Sequence, residues 1–168
     1  MRYLVIIFSI LLILFSLPNS QATIIHVPAD SSTIQSGIDG ATDGDTVLVA
    51  KGHYYERIDF RGKAIMVVSN FIFDNDSLTI DSTIIDADTL VLGVSDTGSV
   101  VRFVNGEDST SVLTGFTIQN GTGTGNRQMG VLSGGGIYGY VYSDSVTHYC
   151  SPAISHCTIS RNSAQGGN

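Results

Sequence analysis

The sequence predicts an all-β solenoid: a stack of short strands and tight corners, closed at its N-terminal end by one short capping α-helix. Three observations predict it. The composition has 19 glycines, no tryptophan and only 14 % charged residues, which suits many short strands joined by tight turns. From Thr46 onward, short apolar runs alternate with polar or glycine-rich corners, and no helix pattern recurs after position 41. Two stretches in the second half read as copies of one another. Strands alternating with helices would have indicated a doubly wound sheet.

The first 22 residues stand apart from this pattern. Arg2 gives a short basic start, Leu4–Leu17 is almost wholly apolar, and Ser20-Gln21-Ala22 is a small-x-small cleavage site. That is the pattern of a secretory signal peptide cleaved after Ala22. A membrane anchor is the rival reading, but Pro18, Asn19 and Ser20 interrupt the run short of the roughly 20 residues that a span needs. Cleavage removes Arg2 and leaves seven Lys and Arg against fifteen Asp and Glu. A chain this acidic lacks the basic surface that supplies nucleic-acid affinity, and anionic lipid repels it. The expectation is one domain over residues 23–168, secreted or on the cell surface, with no nucleic-acid partner and no stable membrane span after cleavage.

The elements follow in order. Ala22–Val27 is a short strand ending at Pro28. Ser32-Thr33-Ile34-Gln35 matches a capping box with Ser32 as N-cap and Gln35 reaching back to it, and Ile34, Ile38 and Ala41 share one helical face. The capping helix is therefore expected over about 32–42. Gly37 and Gly40 weaken it, so packing must hold it. Asp43-Gly44-Asp45 turns into the strand Thr46–Ala50. After Lys51-Gly52, the segment Gly52-His53-Tyr54-Tyr55-Glu56-Arg57 leads through Phe60 to the turn Arg61-Gly62-Lys63 and the strand Ala64–Ser69. Leu78–Ile80, Thr83–Ile85, Leu90–Val94, Val100–Val104, Val112–Ile118, Gly136–Val141 and Ile154–Ile159 are expected as further strands.

The copies are Gly115-Phe116-Thr117-Ile118-Gln119-Asn120 and His156-Cys157-Thr158-Ile159-Ser160-Arg161-Asn162, aligned with one extra residue before the second Asn. Each leads into a small-residue stretch. The first continues to Gly134-Gly135-Gly136-Ile137-Tyr138; the second stops at Gly166-Gly167-Asn168, where another such strand would be expected, so the chain is expected to be the N-terminal part of a longer protein. A self-similar strand–corner–strand unit buries its apolar face only against its neighbours. The helix then has a role, covering the open end of the stack.

Ile25-His26-Val27-Pro28, Ser32-Thr33-Ile34-Gln35, Asp43-Gly44-Asp45-Thr46-Val47, Gly52-His53-Tyr54-Tyr55-Glu56 and Gly62-Lys63-Ala64-Ile65 resemble the opening of secreted right-handed parallel β-helix proteins of the pectin-lyase-like superfamily. Thr114–Gly121, Gly134–Tyr138 and Pro152–Asn162 resemble the repeating coils of that group, so the resemblance spans nearly all of the mature chain. It implies the fold and leaves open whether the protein is an enzyme, because the superfamily holds lyases, hydrolases, esterases and adhesins.

Candidate chemistry is sparse. In Gly52–Arg57 the residues read as a corner in which one Tyr covers the end of the core and Glu56 or Arg57 faces water or pairs across the turn. Adjacent strand residues face opposite ways, so Glu56 and Arg57 would not converge on a substrate. Asp74-Asn75-Asp76-Ser77 with Asp81, Asp86 and Asp88 offers oxygen ligands for Ca²⁺, which lyases of the resembling superfamily use, but no calcium-loop spacing is present and Asp and Asn are ordinary turn residues. No cofactor is expected otherwise. The segment Gly115–Asn120 resembles a pectinesterase strand, but residues 121–168 do not match that family's later acid/base and nucleophile signatures. Cys150 and Cys157 show no metal-ligand spacing; a buried free Cys157 on the face of Ile159 is favoured over a disulfide. Tyr138, Tyr140 and Tyr142 fall on one side of a strand, either stacking on sugar rings from an exposed face or forming an interior ladder.

The reading is an exported β-helix repeat protein associated with polysaccharide, without a complete catalytic site in these residues. The alternatives are an enzyme whose catalytic residues lie beyond Asn168 and a structural stalk or adhesin. No cleavage or de-esterification of acidic glycans is expected, with or without calcium.

Overall fold

The computed structural model describes residues 21–88, 98–126, 131–140 and 150–164. Residues 1–20 of the predicted signal, the expected strand Leu90–Val94 and Tyr142 lie outside them. Among the described residues no helix is long and apolar enough to cross a membrane.

The described residues are strand-rich, with three parallel sheets and few helices. In order the elements are β1 (Ile24–Val27), α1 (Ile34–Gly40), β2 (Thr46–Val49), β3 (Gly52–Tyr55), β4 (Ile58–Asp59), β5 (Met66–Ser69), α2 (Phe71–Asp74), α3 (Ser77–Ser82), β6 (Thr83–Asp86), β7 (Val101–Phe103), β8 (Val112–Thr114), β9 (Thr117–Gln119), β10 (Thr124–Asn126), β11 (Val131–Ser133), β12 (Ile137–Gly139), β13 (Ala153–Ser155) and β14 (Thr158–Ser160). Sheet A runs β1-β2-β5-β8-β13, sheet B runs β14-β9-β6-β3, and sheet C runs β12-β7-β4. From β2 onward the chain visits A, B and C in fixed rotation. Among the described residues its interruptions are the helical excursion α2–α3 and the antiparallel hairpin β10–β11.

The core lies between the sheets and consists of ladders of like side chains. Strand register places Ile25, Val47, Val67, Leu113 and Ile154 in one column of sheet A. Tyr54, Ile85, Ile118 and Ile159 form a column in B. In C, Ile58, Val101 and Ile137 align, and the Phe60 and Phe103 rings pack at a tilt with centroids 4.5 Å apart. Period-2 alternation turns the residues between these columns outward. Leu113 and Ile118 are fully buried, whereas Ile159 is 54 % exposed because β14 is the edge strand of its sheet.

Helix α1 covers the other end, with Ile34 and Ile38 fully buried in the core cluster. Its cap is shifted by one residue from the expected one. Thr33 is the N-cap, its hydroxyl accepting from the Ser36 amide while the Ser36 hydroxyl accepts from the Thr33 amide. Gln35 instead crosses to β4, where its amide accepts from the Asp59 N–H at 2.7 Å and donates to the Asp59 carbonyl at 3.2 Å. The side chain thus imitates a neighbouring strand along the edge of sheet C.

Three further expectations need correction. Leu78–Ile80 belongs to helix α3, because the Asp76 carboxylate caps the Leu78 amide and starts a helical turn. The expected strands Val112–Ile118 and Ile154–Ile159 each break into two, at Gly115 (φ +90°) and His156 (φ +48°), and the halves join different sheets. The copies align without an insertion: Thr117 pairs with Thr158 and Ile118 with Ile159, so Asn120 (φ +62°) corresponds to Arg161 (φ +55°). Asn162 lies one residue further on and bridges back, donating to the Ile118 carbonyl and accepting from the Gly121 amide. Both cysteines are free and half-buried.

Candidate functional site

The segment Gly52–Arg57 divides its labour. Residues 52–55 form β3, with the Tyr54 ring against the core and its hydroxyl donating to the Ala50 carbonyl at 2.9 Å. Gly52 is a strand residue whose missing Cβ leaves room for the Tyr54 ring, 3.1 Å from where that atom would stand. Glu56 turns back to the helix, its two oxygens accepting from the Ile34 and Gln35 amides at 2.9 and 2.8 Å. Arg57 goes elsewhere. It reaches the outer face of sheet C and lines a cavity of about 340 Å³ with Gln35, Asp59, Arg61, Arg102 and Ser99, among others.

This cavity is the candidate site. Asp59 on β4, Arg102 on β7 and Tyr138 on β12 are register partners, so they form one row across the sheet. Their chain neighbours Ile58, Val101 and Ile137 face the core, which turns the row outward. Arg61 enters from a turn at φ +60°. The carboxylates nearby hold the guanidiniums only loosely, with Arg102 Nη1 3.9 Å from Asp59 and Arg61 Nε 3.7 Å from Asp39. Both distances exceed hydrogen-bond length. The Arg102 Nε is buried without an acceptor, the one such side-chain atom among the described residues.

Tyr138 ends this row and Tyr140 lies next to it. Tyr138 is 9 % exposed and its ring centroid lies 6.3 Å from that of Tyr140. Burial pushes the Tyr138 hydroxyl's pKa up, Tyr140 adds to the rise, and Arg102 offsets part of it.

A second polar cluster occupies the outer face of sheet B. Asp86 at the end of β6 accepts from His53 Nε2 at 2.7 Å, Gln119 Nε2 at 2.7 Å, Asn120 Nδ2 at 2.8 Å and the Asp88 amide at 2.9 Å. Burial pushes this carboxyl up, but the four donors outweigh it and hold it below the ordinary carboxylate value. An ionised Asp86 fixes His53 as the Nε2–H tautomer, and the imidazole stacks on Tyr55 at 4.2 Å. The cluster ties β3, β6 and β9 together. Of the carboxylates considered for calcium, Asp74 accepts from the Thr79 hydroxyl and the Asp76 amide, Asp76 caps α3, and Asp81 lies on α3. No group of three or more His, Cys, Asp or Glu among the described residues is placed to hold a metal ion.

Neither cluster was visible in the sequence, because His53 and Asp86 stand 33 residues apart and only strand register joins them. Comparison with family models, with curated proteins and with solved structures found no match.

Proposed function

We propose that the chain forms coils of an exported right-handed parallel β-helix protein that associates with polysaccharide through the outer face of sheet C. Support for the winding comes from the fixed A, B, C rotation of parallel strands; a parallel crossover connection is right-handed in nearly all cases. The observation that carries the binding reading is the outward row Asp59–Arg102–Tyr138 beside the open cavity, with Tyr140 next to it. Flat aromatic rings beside hydrogen-bonding groups suit a sugar, which has an apolar face and a polar rim. The leader pattern of residues 1–22 supports export.

The absence of tryptophan makes tyrosine emission a direct probe. Titration of the purified protein with a panel of neutral and acidic oligosaccharides should change that emission saturably for at least one glycan, and Tyr138→Ala should abolish the change. A panel with no saturable response, confirmed by calorimetry, would remove the reading.

A further inference from the structure

We propose that Asn105 is a self-modification site: the Gly106 backbone nitrogen attacks its side-chain amide, and the aspartate or isoaspartate that results opens the clasp Glu107 makes on the turn after β4. The reaction needs only the chain and water, so it stands independently of the glycan reading.

An asparagine followed by glycine is the pair most open to this reaction, because glycine has no side chain to hinder its own amide nitrogen. The chain has two such pairs, Asn105-Gly106 and Asn120-Gly121, and the fold treats them oppositely. Asn120 Nδ2 donates to Asp86 Oδ1 at 2.8 Å, and the Gly121 N–H donates to Asn162 Oδ1 at 2.8 Å. Both reacting groups are held, and Gly121 is closed in by the Gly135 carbonyl. Asn105 and Gly106 are exposed. Among the described residues no hydrogen bond engages the Asn105 side-chain amide or the Gly106 N–H. Gly106 stands at φ +84° with open space around it, so nothing packs against a ring closing there.

In the first step the Gly106 nitrogen bonds to Asn105 Cγ, the Cγ–Nδ2 bond breaks, and the proton lost from that nitrogen leaves with the departing ammonia. The cyclic imide then takes up water. Opening at Cγ gives aspartate; opening at the main-chain carbonyl carbon gives isoaspartate, whose peptide link runs through Cγ. Either product sets a new carboxylate close to one that is buried. Glu107 is 1 % exposed, with one oxygen accepting from the Gly62 amide at 2.8 Å and the other from the Asn105 amide at 2.9 Å. Like charges repel strongly where water is scarce. The bond from the Asn105 amide also closes a small ring through residues 105–107, and isoaspartate lengthens the main chain inside that ring. Gly62 lies directly against Asn105, its absent Cβ 3.1 Å from the Asn105 Cβ. A shift at 105 therefore reaches the Arg61-Gly62 turn.

The test incubates the full chain for weeks at physiological temperature, at neutral and mildly alkaline pH, folded and in urea. Peptide mapping follows each site, since conversion raises a peptide's mass by about one dalton, and enzymatic methylation of isoaspartate identifies that product. In the folded chain Asn105 should convert roughly tenfold or more faster than Asn120, where two hydrogen bonds must open first. Both should react faster at the higher pH, because the attacking nitrogen must lose its proton. In urea the two sites should convert at like rates. Asn105→Ser keeps the backbone amide that Glu107 uses; it should abolish conversion at 105 and leave the urea midpoint unchanged. Protein converted at 105 should show faster amide exchange at Gly62 and a lower urea midpoint than the Asn105→Ser protein aged beside it. Equal rates at 105 and 120 in the folded chain, or an Asn105 that converts only in urea, would overturn the site. Conversion at 105 with unchanged exchange at Gly62 would overturn the opening of the clasp.

Discussion

The capping helix offers the sharpest test of how this fold is held. Helix α1 has seven residues, two of them glycine, and an isolated helix of that length is unstable in water. Its two ends are gripped by charges of the sign its dipole favours. Glu56 accepts from the Ile34 and Gln35 amides, and Lys63 Nζ donates to the carbonyls of Ile38, Asp39 and Ala41 at 2.7, 2.8 and 2.8 Å. Glu56→Ala leaves two amides without acceptors beside a buried Ile34. At about 1–3 kcal/mol for each unsatisfied group, discounted for partial access to water, the loss should be about 2–3 kcal/mol. Glu56→Gln keeps one acceptor and should lose about 1 kcal/mol. Lys63→Met frees carbonyls that water reaches more easily and should cost about 1–2 kcal/mol. The double variant should cost less than the sum, because both residues hold one element. Urea unfolding followed by circular dichroism gives the energies, and amide exchange at 34–41 locates the loss. Glu56→Ala within about 0.5 kcal/mol of wild type, with unchanged exchange in α1, would refute the clamp.

Other expectations use the same assay. Phe116→Ala empties a fully buried site and should cost about 3–5 kcal/mol. Gly115→Ala should cost more than about 2 kcal/mol, because φ is +90° and the new Cβ would stand 2.2 Å from Ser69 Oγ; Gly40→Ala, with open space around it, should instead gain up to about 1 kcal/mol. Asp86→Asn turns an amide group toward donors and should cost about 2–4 kcal/mol. Asp45, held low by the Thr42 and Thr23 amides, Asp74, held low by the Thr79 hydroxyl and the Asp76 amide, and Asp86 all have folded pKa values below the ordinary 3.8. Their contribution is present above that value and is lost as pH falls through the folded values. Urea midpoints should therefore be flat near neutrality and drop below about pH 4, and Asp86→Asn should flatten that drop; midpoints unchanged down to pH 2.5 would count against it.

Strands β1, β2, β5, β6 and β7 were legible because each is a short apolar run bounded by a corner, and the helix because its apolar residues switch to a spacing of four; β3 (GHYY), β10 (TGN) and β11 carry no such run and were not. Excursion α2–α3 was not, since Phe71-Ile72-Phe73 and Leu78–Ile80 are short apolar runs that periodicity cannot assign. Phe73 and Leu78 are more than 60 % exposed, so burial did not choose their conformation; for Leu78, local capping by Asp76 did. The breaks inside Val112–Ile118 and Ile154–Ile159 differ in visibility for a related reason. Gly115 advertises a positive φ, whereas His156 gives no such signal.

Stacking explains why His156 can stand there at all. Gly115 and His156 occupy equivalent corners beside paired parallel strands, as do Asn120 and Arg161. A non-glycine residue in the left-handed region costs on the order of 1–2 kcal/mol, yet both corners adopt it. The bend is therefore set by the strands on either side, which must leave one sheet and join the next at fixed register, and the residue is chosen afterwards by the space at that level. At Gly115 the space is closed by Ser69 and Phe71. At His156 the side chain has room to lie against the Phe71 ring, with centroids 4.8 Å apart. The same logic governs the candidate site. The spacing between residues that meet across the sheets varies: the link from His53 to Asp86 spans 33 residues and that from Gly62 to Glu107 spans 45. No fixed offset in the sequence could bring Asp59, Arg102 and Tyr138 into one row. Register alone does so, and for that reason a site built across paired strands leaves no motif along the chain.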